Sequence, residues 1–95
     1  MKAISIKDPH ASRILRGEKT REYRKWQTNH RGHLLICCSA NPKTENAGKA
    51  LCIVTLKDIK PIGDDNDLFE WILSDLTPIS PFPVRGQMGL FSVQI

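Results

Sequence analysis

Ninety-five residues, 40% hydrophobic and 25% charged, fit one ordinary domain spanning 1–95 and exclude global disorder and most multi-domain cofactor enzymes. No apolar run approaches the roughly 18 residues of a membrane helix, the opening MKAISIKDPH has no apolar signal core, and three cysteines cannot make a disulfide scaffold. A cytoplasmic location follows as the expectation. The net charge of +4 hides a division: residues 1–33 hold nine Lys and Arg against three acids, whereas 34–95 hold five against seven.

In chain order, residues 3–6 read as a first strand. Asp8 and Pro9 then open a short helix, since Asp8 can cap it and Pro9 suits its first turn. Ala11, Ile14 and Leu15 recur at helical spacing, and Gly17 suits a left-handed C-terminal cap. Residues 19–26 alternate as a strand, with Thr20, Glu22, Arg24 and Trp26 on one face and Arg21, Tyr23 and Lys25 on the other. Neither face is simply apolar, so this strand is either a sheet edge, open to self-association, or the wall of a wet cleft. After a polar connection, residues 33–39 form a near-continuous apolar strand, expected to be buried on both faces. Residues 41–48 carry turn chemistry and are the most mobile candidate.

Residues 50–56 are the strongest strand, with a polar continuation towards Ile62. Residues 64–67 supply a helix start, and Leu68, Trp71, Ile72 and Leu76 form a stripe for a second helix to about Asp75. Pro78, Pro81 and Pro83 break the path, and residues 89–95 alternate as a closing strand. Strands with two helices at separated points fit a small mixed barrel better than a helical bundle or a parallel sheet.

The basic third of the chain favours a polyanionic partner, although a solvated face has the same composition. Tyr23 and Trp26 lie among the charges, and bases stack on such rings. Trp26 is the better stacking candidate, because core packing is expected of Tyr23; Trp71 belongs to the core. Glu22 and Arg24 point the same way on a strand. They make a structural ion pair, or Glu22 orients the guanidinium towards a phosphate or base edge. Lys19 sits at a cleft mouth as a phosphate contact, or is an exposed turn lysine. His30 and His33 read as solvated loop side chains. Cys37 and Cys38 are adjacent on a strand and point to opposite faces, so they read as buried hydrophobes. No metal site or cofactor is expected.

Gly17-Glu18-Lys19-Thr20-Arg21-Glu22-Tyr23-Arg24 fits Gly-x-Lys-x-x-Glu-x-Arg and resembles the signature of the ASCH domain, in the PUA-like superfamily. Three flanking segments agree in order: Ser5-Ile6 with Pro9, Ala11, Ile14 and Gly17; Arg31-Gly32 with Leu34-Leu35-Ile36 and Ser39; and Pro83-Val84-Arg85-Gly86-Gln87-Met88-Gly89-Leu90-Phe91. The resemblance implies an α+β, five- or six-stranded PUA-like barrel with two flanking helices, a cleft near the motif, and RNA or other nucleic acid as partner. Many members carry Trp where this chain has His10.

The first functional expectation is therefore a module binding single-stranded RNA or a nucleotide. Its contacts are Lys19, Arg21, Glu22, Arg24, Lys25, Trp26, His10 and Arg31. The alternative is a small hydrolase, a ribonuclease or a modified-nucleoside amidohydrolase, with Lys19, Glu22, Tyr23 and His10 as candidate catalytic groups. In the amidohydrolase pattern a Thr nucleophile occupies the position of Glu22, which weakens that branch.

Overall fold

The computed structural model describes residues 1–64 and 67–95. Its elements are β1 (Lys2–Ile6), α1 (His10–Leu15), β2 (Arg21–Arg24), β3 (Gly32–Cys38), β4 (Lys49–Ile62), β5 (Leu68–Pro83) and β6 (Phe91–Ser92). They form one six-stranded sheet in the order β2-β5-β4-β3-β1-β6. β1 and β3 run parallel, and every other pairing is antiparallel. No described helix is long and apolar enough to cross a membrane.

β3 shows why the sheet carries apolar packing on both sides. Leu34, Ile36 and Cys38 join one cluster with Ile4, Ile6, Trp71 and the α1 residues Ala11 and Ile14. Leu35 and Cys37 point the other way, to Ala3, Ala50 and Phe91. Strict alternation of side chains along a strand makes this division unavoidable, and it bears out burial on both faces. All three cysteines are buried. Burial pushes the Cys37 thiol up to about 12 and the Cys38 and Cys52 thiols up to about 11.

The closed barrel is a correction. The sheet is open, with β2 and β6 at its edges. These edge strands are only four and two residues long, too short to zip the sheet shut with a ladder of their own. The second helix is also a correction. Leu68, Trp71, Ile72 and Leu76 lie on β5, which pairs with β4 over most of its length; of the expected helix start, Asp65 and Asn66 lie outside the described residues. A spacing of three and four imitated a helical stripe, and long-range pairing with β4 overrode it. The three prolines do not break this strand. β2 covers β5 only at Phe69–Ile72, so Pro78, Pro81 and Pro83 sit where β5 has one neighbour and needs fewer N–H donors.

Of the local signals around α1, the C-terminal one holds, whereas at the start Pro9 occupies the N-cap position rather than the first turn and the helix begins at His10. Gly17 has φ +76°, and the N–H groups of Glu18 and Lys19 both donate to the Arg13 carbonyl, closing the helix and turning the chain towards β2. The Asp8 carboxylate accepts from the Ser12 backbone N–H (2.8 Å), the Ser12 hydroxyl (2.7 Å) and the Thr44 hydroxyl. Asn46 donates to the Ser12 hydroxyl (2.9 Å). Residues 41–48 are thus tied to α1.

Candidate functional site

A cleft opens where β1 and β3 end side by side. Ser5 and Ser39 meet there, hydroxyl to hydroxyl at 3.0 Å. The C-terminal segment closes on the same point: a Cβ at Gly86 would lie 3.0 Å from the Ser5 hydroxyl oxygen, so only glycine allows this approach without displacing Ser5. The cleft has two lobes. One, about 380 Å³, is lined by His10, Lys19, Glu22, Tyr23 and Arg24. The other, about 560 Å³, is lined by Trp26, Asn41, Gly86, Gln87 and Met88. Ser5, Lys7, Arg24 and Ser39 line both, so the lobes adjoin along these residues.

Glu22 organises the smaller lobe. It is only 6% exposed, and both its oxygens are taken by cations. Lys19 Nζ lies 3.3 Å from Oε1 and Arg24 Nη1 lies 3.1 Å from Oε2. One carboxylate therefore holds two positive groups apart and in fixed places, leaving one net positive charge. Lys7 adds another at the rim shared by the lobes. His10 Nδ1 lies 3.1 Å from Lys19 Nζ, extending the line to His10–Lys19–Glu22–Arg24. Arg24 is both anchored and partly open, with a quarter of its side chain (26%) exposed. Its guanidinium also lies 5.9 Å from the Trp26 ring centre, a cation–π distance.

Trp26 links the cleft to the core. It meets Trp71 edge-on with ring centres 4.9 Å apart, and the buried Trp71 Nε1–H donates to the Trp26 carbonyl at 3.2 Å. Packing and a satisfied indole donor thus fix the chain just after β2.

The structure brings His10, Lys19, Glu22, Tyr23, Arg24 and Trp26 to one cleft and leaves the other candidates outside it. Arg21 is on the outer side of β2, donating to the Thr20 carbonyl and hydroxyl. Lys25 is exposed and lines neither lobe. Arg31 bonds the Thr28 and His30 carbonyls at the start of β3, roughly 26 Å of strand from Ser39. Tyr23 is 46% exposed, contrary to core packing, on a strand at the edge of the sheet. Its hydroxyl donates to Glu70 at 3.2 Å. That bond, with some desolvation, raises the phenol's pKa and keeps it protonated. His30 is half-buried rather than freely solvated, its ring bonded to the His33 carbonyl.

Ser5, Lys7, Ser39, Asn41 and Gln87 were missed as site residues. Ser5, Ser39 and Gln87 stand inside the flanking segments that resemble the ASCH pattern, which was the available signal; Lys7 and Asn41 carry none beyond their neighbours. Among the described residues, no cluster of His, Cys, Asp or Glu could hold a metal ion.

The open mixed six-stranded sheet with its one small helix is an ASCH-type fold. The chain belongs to the ASCH domain family, whose model matches residues 4–75. Solved structures agree. The ASCH protein of Zymomonas mobilis superimposes with a TM-score of 0.74 at 15% identity, covering 98% of this chain and 87% of that one. Its tyrosine-to-phenylalanine variant gives 0.74 at 15%, covering 98% and 89%. Its serine-to-alanine variant gives 0.73 at 15%, covering 98% and 87%. A comparison with curated proteins finds no match.

Proposed function

We propose that this protein binds single-stranded RNA, or a nucleotide, through the two-lobed cleft. One observation carries the reading: a buried carboxylate presents an ammonium and a guanidinium together at an open hollow. Cations held in place need little reordering to meet a phosphate, and the planar guanidinium matches phosphate oxygens two at a time. The larger lobe, with the Trp26 ring and the Asn41 and Gln87 amides, has the means to stack a base and bond its edges. The ASCH resemblance, which implies nucleic acid as partner, points the same way. Fluorescence anisotropy with a labelled single-stranded RNA at increasing salt tests it. Binding that weakens with salt and drops in Arg24→Ala supports the reading; salt-insensitive or absent binding contradicts it.

A second reading rests on the hydrogen-bonded line His10–Lys19–Glu22. Contiguous proton donors and acceptors in a cleft are what acid–base hydrolysis of RNA or of a modified nucleoside requires. Tyr23, protonated and turned to Glu70, does not serve as its base. Cleavage of the labelled RNA that stops in Lys19→Ala while binding persists would establish this reading over simple binding.

A further inference from the structure

We infer that the cleft is the inner part of a longer track that holds a passing polynucleotide strand, with Tyr23 as a stacking platform and Arg21 and Arg13 as outer phosphate contacts. This rests on the reading of the cleft as a phosphate-binding site and decides between its two ligands, strand and nucleotide.

Three observations converge. The first is continuity. Lys19 and Tyr23 line the smaller lobe and also an outer depression of about 320 Å³, shared with Arg13, Glu18 and Arg21. They form a common wall, so an occupant of the cleft that continues past Lys19 runs onto Tyr23. The second is chemistry. Tyr23 is nearly half exposed at 46%, with the Lys19 ammonium 5.8 Å from its ring centre. An exposed ring beside a cation, in the basic third of the chain, is the pairing that receives a base and its phosphate together. Its bond to Glu70 holds the ring's direction.

The third is charge. Glu18, the one acid of the outer depression, is held by Arg16 and Arg13, so the two arginines exceed it by one charge. No described carboxylate lies within ion-pair distance of Arg21. Arg21 and Tyr23 are two residues apart on β2, roughly 7 Å, a span comparable with one step of an extended nucleotide chain. A mononucleotide filling the inner cleft does not reach Arg21 or Arg13, which line only the outer depression; a strand does.

The test is calorimetric titration of the protein with uridine 5′-monophosphate and with hexauridylate, for the native chain, Arg21→Ala and Tyr23→Ala. The hexamer is expected to bind the native protein at least tenfold more tightly than the monophosphate. Arg21→Ala is expected to weaken the hexamer by about tenfold and leave the monophosphate unchanged, whereas Tyr23→Ala, whose ring also lines the inner lobe, is expected to weaken the hexamer by a clearly larger factor than the monophosphate. Retained monophosphate binding also shows that the variant is folded. Equal affinity for the two ligands in the native chain, or equal loss of both in a variant, overturns the track and leaves the cleft reading standing. Binding of neither ligand overturns both.

Discussion

Glu22 is the side chain on which the site turns. It is buried yet ionic, and removal of a carboxylate that two cations share leaves them without their common anchor. Charge and orientation then predict opposite signs for Glu22→Gln. A more positive cleft attracts RNA more strongly if charge alone matters. If Glu22 acts by positioning Lys19 and Arg24, affinity falls, by roughly tenfold, the worth of one charge-assisted hydrogen bond. Anisotropy at fixed salt separates the two, and tighter binding contradicts the positioning role. Stability should fall as well, by about 1–2 kcal/mol, read by chemical denaturation. Much of this constellation was legible in the sequence, because residues two apart on a strand must share a face. Lys7, Ser39 and Gln87 were not, because they reach the cleft only through the parallel pairing of β1 with β3 and the return of the C-terminal segment. Tyr23 was misjudged for a related reason: a strand's pattern does not say which of its sides has a neighbour.

Among the elements, α1 and the residues after β3 are coupled by Asp8. Desolvation raises that carboxyl's pKa, but the hydrogen bonds from Thr44 and Ser12 outweigh it, and the net direction is downward from 3.8. A carboxyl with a depressed folded value stabilises the fold fully above its ordinary value and loses that contribution as pH falls through the folded value. Asp8→Ala should therefore cost about 1–2 kcal/mol near neutrality and less at strongly acid pH. Denaturant titrations of both proteins at pH 7 and at pH 3 check this; a difference independent of pH contradicts it. The C-terminal cap of α1 was readable because capping is local chemistry. The true state of residues 68–83 was not, because four apolar positions satisfied a helical period while β4, the partner that settles the matter, lies before a turn.

At the scale of the whole molecule, an open sheet covered on both faces buries every cysteine. With thiols raised to about 12 (Cys37) and about 11 (Cys38 and Cys52), almost no thiolate exists at pH 8, and access is closed as well. A disulfide reagent should label none of the three on a timescale of minutes in buffer and all three in denaturant. Rapid labelling of the folded chain contradicts the packing described. The burial of 33–39 was foreseeable from its unbroken apolar run, whereas barrel closure depends on how long the edge strands are and on whether they meet. Neither is written in a hydrophobic pattern.

Most direct for the central claim is the salt dependence of single-stranded RNA affinity, compared between the native chain and the Lys19→Ala, Arg24→Ala double variant. Each lost phosphate contact removes roughly 0.7 from the slope of log affinity against log salt. The double variant should bind at least tenfold more weakly, with a slope shallower by about 1.4. An unchanged slope and affinity would mean that the cations held by Glu22 do not meet the phosphates.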